Sequence, residues 1–259
     1  MKSISKSAGL FIVCGTTNGF GKAVAEKLIS NNHSVLGVAR GKDELEKFQA
    51  RHPQHFKFIA GDLSKPETAD KIKSQTEGKF IDGIFINAGG PPAKKIEETN
   101  MEDWDRAYET LLRWKVDLVK KLIPAFKSQG YGRILFLESS SVKQPIENLV
   151  LSTSLRSAVV GFAKTLSEEI AHYGITVNVL APGYHDTSAL NRLIKKRSEE
   201  MGVSENSAKE QFKEKTKVGK LGNPNNLASL ASWLLSPESE YITGQTISVD
   251  GGVIKGAFG

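Results

Sequence analysis

LFIVCGTTNGFG, Leu10 to Gly21, is the stretch that decides the fold. Leu10 to Val13 are apolar or β-branched and predict a buried strand. A turn follows with three glycines, Gly15, Gly19 and Gly21, and from Lys22 onward Val24, Leu28 and Ile29 recur at helical spacing. Strand, glycine turn and helix together offer an anion the free N–H groups and positive dipole end of a helix. Glycine suits such a turn because it tolerates positive φ and lets backbone come close to a ligand. The spacing is GxxxGxG, not the commoner GxGxxG, so nucleotide binding is one reading and a structural turn the other.

Moving outward, strands and helices alternate. Strands are expected at 34–39, 56–60, 84–86, 133–137, 176–180 and 246–249, with helices between them. Thr99 with Glu102 reads as a capping box opening one long helix to about Ser128, which Pro124 should kink or end. Asn223-Pro224 opens a further helix. The strands are short and apolar on both faces, as in a parallel sheet covered by helices on both sides. The fold class is therefore α/β: a doubly wound, Rossmann-type parallel sheet in a single domain, 1–259. Ligands bind such sheets at the carboxyl ends of the strands, where each polar or glycine cluster of this chain falls.

Composition narrows the function classes. The chain has 259 residues, 39% of them hydrophobic, enough for one large α/β domain. No apolar run is long enough to span a bilayer. Lys2 and Lys6 before AGLFIVCG imitate a signal peptide, but the apolar part runs straight into the glycine turn and reads as the first strand. Cys14 is the only cysteine, which excludes an internal disulfide and predicts a reducing, cytoplasmic setting. The net charge of +6 is scattered, without the basic stripe and interleaved aromatics of a nucleic-acid surface. The five histidines show no metal-ligand spacing, so no metal is expected.

With its motifs taken together, the chain resembles the classical short-chain dehydrogenase/reductase family along nearly its whole length. Gly15-Thr16-Thr17-Asn18-Gly19-Phe20-Gly21 matches the family's GxxxGxG turn, with Cys14 where Thr is usual. Asp62-Leu63 matches the acidic position at the adenine, and Asn87-Ala88-Gly89 the NAG motif. Pro182-Gly183 with Thr187 matches the PGxxxT segment at the nicotinamide, and Gly244 and Val249-Asp250-Gly251-Gly252 match the C-terminal strand. Of these, the resemblance makes Gly15, Thr17, Asn18, Gly19, Phe20, Gly21, Asp62, Leu63, Asn87, Ala88, Gly89, Pro182, Gly183 and Thr187 the cofactor site. Charge then selects the cofactor: an acid at the end of the second strand would bind a ribose 2′-OH and repel a 2′-phosphate. Ala39 stands there, followed by Arg40, whose guanidinium pairs with phosphate, so NADP(H) is expected.

The family's catalytic group is Asn, Ser, Tyr and Lys, the last two as YxxxK. Here the aligned positions hold Leu111, Ser139, Ser152 and Arg156, so the serine alone is kept. A serine hydroxyl is a far weaker acid than the phenol it replaces, and arginine keeps lysine's charge but cannot relay protons. Ser139, Ser152 and Arg156 are the candidate catalytic residues, with Arg156 also expected at the nicotinamide ribose. Tyr184, His185, Glu138 and Lys143 are substitute acids by position; ordinary loop residues are the other reading of each.

The resemblance implies an NADP(H)-dependent oxidoreductase reducing a ketone or aldehyde, similar to 3-oxoacyl-carrier-protein reductases, with a divergent catalytic group. The alternative is a catalytically silent NADP(H)-binding sensor or scaffold. The expected partner is a small carbonyl or alcohol substrate or a carrier-bound acyl chain, with no nucleic acid and no membrane. Residues 188–217, where Lys and Arg outnumber Glu, are expected to form a mobile substrate lid. Leu112, Val116, Val119, Val160 and Ala163 are expected to pack across subunits of a homotetramer or homodimer.

Overall fold

A computed structural model describes residues 8–257. Lys2 and Lys6 lie outside the described residues. Seven parallel strands form one sheet in the order β3-β2-β1-β4-β5-β6-β7. The chain runs β1 (Leu10–Cys14), α1 (Gly19–Ser30), β2 (Ser34–Ala39), α2 (Lys42–Arg51), β3 (Phe56–Ala60), α3 (Pro66–Thr76) and β4 (Gly83–Asn87). It continues through α4 (Met101–Tyr108), α5 (Trp114–Gln129), β5 (Gly132–Leu137), α6 (Val150–Ile170) and β6 (Ile175–Pro182). The last part is α7 (Ser188–Met201), α8 (Glu205–Glu214), α9 (Pro224–Leu234) and β7 (Thr246–Val249). The doubly wound class read from the alternation is the one observed. Strand order reverses between β1 and β4, the place where this architecture opens its ligand crevice.

Two apolar cores sandwich the sheet. One packs Leu118, Leu122 and Phe126 of α5 and Val159, Ala163 and Leu166 of α6 against Ile12, Ile84, Ile86 and Phe136. The other packs Val24 and Leu28 of α1 and Leu227 and Ala231 of α9 against Val13, Phe85 and Leu135. Alternate strand residues thus serve opposite faces, as the period of two requires. Val119 and Ala163, expected at a subunit contact, are buried in the first core and correct that expectation. Leu112 and Val160 are only partly buried against it.

The expected long helix is two helices. A π-helical turn, Glu109–Arg113, joins α4 to α5. The capping box is made by Asn100 and Asp103, one residue later than Thr99 and Glu102. Thr99 instead bonds the carbonyl of Ile96 and takes up the Trp104 indole N–H. Pro124 sits inside α5 without ending it. Pro124 and Lys120, whose carbonyl loses its helical donor, both lie on the exposed face of the helix.

Candidate active site

The glycine turn leaves β1 and enters α1 at Gly19, earlier than the periodicity from Lys22 suggested. Asn18 precedes the helix without a side-chain bond to it, and no acid sits in its first turn. The first N–H groups of α1 are therefore free for an anion, with no carboxylate in the helix's own first turn to oppose its dipole. Gly19 has φ +53, and Gly21 lies so close under the carbonyl of Gly15 that a Cβ there would collide with it. Neither place admits another residue without strain.

Other segments gather around that turn. The Asn87 side-chain amide packs over Gly15, joining the ends of β1 and β4. Thr187, which caps α7, stands beside Gly19. Thr17 lies beside Gly41, placing the end of β2 and the exposed Arg40 next to the turn. Asp62, exposed at the end of β3, accepts from the N–H and hydroxyl of Ser64. Burial works to raise its pKa, but those hydrogen bonds and the charges of Arg40 and Lys65 hold it below the usual carboxylate range. Leu63 packs partly buried against the core beside it. Pro182 ends β6 in register with Val249, and Gly183 touches Asp250. The cofactor residues expected from the sequence, scattered from 15 to 187, thus line the strand ends of one sheet. Above the end of β4, Gly89 faces open space, where a Cβ would meet nothing within 4 Å. Free helix N–H groups, an exposed guanidinium and an open glycine ledge fit a phosphate-bearing dinucleotide.

The three catalytic candidates fall at one end of this crevice. Ser139 ends β5, and its Oγ accepts from the Ser141 N–H at 3.1 Å, which leaves its own hydrogen free. Ser152 and Arg156 lie one turn apart on α6, both buried. Arg156 donates from Nε to Ser152 Oγ at 3.1 Å and from Nη1 to Glu138 Oε2 at 2.9 Å. Its Nη2 points toward Gly90, at the end of β4.

The remaining candidates take other roles. Glu138 is buried, and its second oxygen is bonded by the ammonium of Lys115, a fully buried lysine in the first turn of α5. Burial pushes that ammonium below the usual lysine range; Glu138 opposes the shift and the Arg156 charge adds to it. The sequence reading missed Lys115. His185 is buried behind the loop, its Nδ1 3.2 Å from the Gly183 carbonyl and its ring edge-on to Phe20. Burial lowers its pKa, against the Gly183 carbonyl and Asp250, so near neutral pH it is no acid. Tyr184 packs on Phe212 as part of a small third core with Leu190, Ile194 and Ala208. Burial raises its phenol pKa. Lys143 is half-buried after the short 3₁₀ turn 140–142. Burial pushes the Cys14 thiol up to about 12, which makes it unreactive.

Comparison with known proteins agrees with this geometry. A family model described as enoyl-(acyl carrier protein) reductase matches residues 15–254. The NADPH-dependent reductase BacG of Bacillus subtilis is 29% identical over 250 residues, covering 94% of this chain and 96% of that one. The 3-oxoacyl-[acyl-carrier-protein] reductase FabG of Vibrio cholerae is 27% identical over 244 residues, covering 93% and 96%. The crystal structure of YwfH, an NADPH-dependent reductase involved in bacilysin biosynthesis, superposes with a TM-score of 0.90 at 28% identity, covering 96% of this chain and 100% of that one.

Proposed function

The chain belongs to the short-chain dehydrogenase/reductase family, and from that premise we propose that it is an NADPH-dependent oxidoreductase reducing a ketone or aldehyde. The observation that carries this reading is Arg156, a nearly buried guanidinium at the nicotinamide end of an intact dinucleotide cradle, bonded to Ser152. Gly15, Thr17, Asn18, Gly19, Phe20 and Gly21 hold the pyrophosphate. Arg40 takes the 2′-phosphate. Asp62 and Leu63 flank the adenine, Asn87, Ala88 and Gly89 the adenosine side, and Pro182, Gly183 and Thr187 the nicotinamide.

When bound, the nicotinamide supplies the hydride. Ser139 donates its free hydroxyl hydrogen to the substrate oxygen, and Ser152 donates a second, since its own oxygen already accepts from Arg156. Two such donors stabilise the charge that grows on that oxygen. Arg156 holds the nicotinamide ribose and adds positive potential. A serine hydroxyl is far too weak an acid to give up its proton near neutral pH, so the proton comes from solvent.

The FabG relatives support a 3-oxoacyl substrate carried on an acyl carrier, and the surplus of Lys and Arg over Glu across residues 188–217 suits an anionic carrier. That segment is the proposed lid. Exposed small residues on α6, Ser154, Ser157, Ala158 and Gly161, allow close helix approach in a homodimer or homotetramer; light scattering at micromolar concentration measures it. A single buried cysteine suits a reducing cytoplasm. No helix among the described residues is long and apolar enough to cross a membrane.

Buried Leu111 in the asparagine position and the missing phenol favour a second reading, a silent NADPH-binding sensor or scaffold. NADPH oxidation against a panel of oxo substrates, beside NADPH binding without substrate, separates the two. Binding without turnover of any substrate selects the second.

A further inference from the structure

Lys115 and Glu138 belong to none of the motifs that define the cofactor cradle, yet they form the most deeply buried charges next to it. Lys115 is fully buried and Glu138 nearly so, and one carboxylate receives both the Lys115 ammonium and the Arg156 guanidinium. Glu138 is itself fixed by the sheet: its N–H donates to the Leu180 carbonyl at 2.8 Å. Lys115 is fixed by α5, which enters the core immediately after the π-helical turn. Stability does not explain such a triad, because apolar residues of similar volume commonly replace buried ion pairs at no loss. Its geometry does have a directed outcome. Arg156 is held by Nη1, so its Nε falls on Ser152 and its Nη2 is left toward Gly90 and the crevice. A carboxylate alone would also cancel the guanidinium charge. With Lys115 on its other oxygen, the three groups sum to one positive charge.

We propose that Glu138 and Lys115 are positioning residues for Arg156: Glu138 clamps the guanidinium toward Ser152 and the nicotinamide half of the cofactor, and Lys115 keeps its positive charge uncancelled. The proposal rests on the cofactor reading given above. It separates two roles that different variants isolate. The double variant E138L/K115M keeps the net charge and removes the clamp. The single variant K115M keeps the clamp and removes the net charge.

The test measures affinity for NADPH and for adenosine 2′,5′-bisphosphate, the half of the cofactor that never reaches Arg156, together with kcat and KM on an oxo substrate. For E138L/K115M, NADPH affinity should fall about tenfold, the loss of one charge-assisted hydrogen bond, while the bisphosphate binds as in the parent. For K115M, NADPH affinity should hold while kcat falls with little change in KM. E138D, which keeps both charges and withdraws the carboxylate by one methylene, should repeat the double variant's pattern at smaller size even where that variant does not fold. E138D that binds the bisphosphate normally and leaves both NADPH affinity and kcat unchanged overturns the proposal. Equal losses for the two ligands in E138D also overturn it, since that marks general damage. A parent protein with no turnover ends the reductase reading alone, and the two affinities still decide the clamp.

Discussion

Arg156 Nε donates to Ser152 Oγ across 3.1 Å, one helical turn away and out of bulk water. The bond fixes which way the serine works: its oxygen is an acceptor already used, and its hydrogen is the part left for a ligand. Ser139 is arranged the same way by the Ser141 N–H. Ser139→Ala should therefore lower kcat by about 100-fold, the usual cost of one oxyanion donor, with little change in NADPH binding. Turnover equal to the parent's would remove Ser139 from the mechanism.

Arg40 is exposed beside the turn, while Ala39 before it is buried and carries no charge. NADPH should bind about tenfold more tightly than NADH, the worth of a charge-assisted phosphate contact. Arg40→Asp should reverse the order by repelling the 2′-phosphate and accepting from the 2′-OH. Equal affinities in the parent protein rule this assignment out.

His185 gives the fold a dependence on pH. Burial holds its folded pKa below the ordinary 6.5, and burial does the same to His33. Above pH 6.5 both states are neutral and nothing is lost. As pH falls through that value the unfolded chain takes up protons first, so stability declines until the folded pKa is reached. Thermal midpoints measured from about pH 8 to about pH 5.5 should fall, and His185→Asn should flatten the decline. Identical slopes in variant and parent would show that His185 is not the group responsible.

The proposed lid should exchange its amide hydrogens faster than the sheet. Helices α7 and α8 share only a small core of Leu190, Ile194 and Ala208. Leu193, Met201, Val203 and Val218 around it remain exposed. Such segments open at low free-energy cost. NADPH with substrate should slow exchange there. Exchange in α7 as slow as in α6 without ligand contradicts a lid.

Much of this arrangement is legible in the sequence. The turn at Gly15 to Gly21, the ends of β3 and β4 and the segment Pro182 to Thr187 are local patterns, and local patterns survive without knowledge of the fold. The cap is ambiguous in the sequence because Thr99 and Asn100 both qualify, as do Glu102 and Asp103, and only packing chooses the register. Lys115 left a trace that was readable: Leu111, Lys115, Leu118 and Leu122 share one helix face, and all four are buried. A lysine on such a face must have a counter-charge. That the counter-charge is Glu138 could not be read, because the two sit 23 residues apart on different elements.

The π-helical turn at Glu109–Arg113 has a consequence for how this chain tolerates changes of length. A π turn is a helix carrying one surplus residue between two flanks whose positions are already set by packing. Here α4 is docked on one side, and Lys115, Leu118 and Leu122 dock α5 on the other. Deleting one residue inside 109–113 only tightens a loose turn. Deleting one a few residues later, between 116 and 121, turns the rest of α5 by about 100° relative to Lys115 and sets core against counter-charge. The segment therefore acts as a slip joint, and it lies next to Lys115, the buried lysine whose angular position decides whether its ammonium meets Glu138.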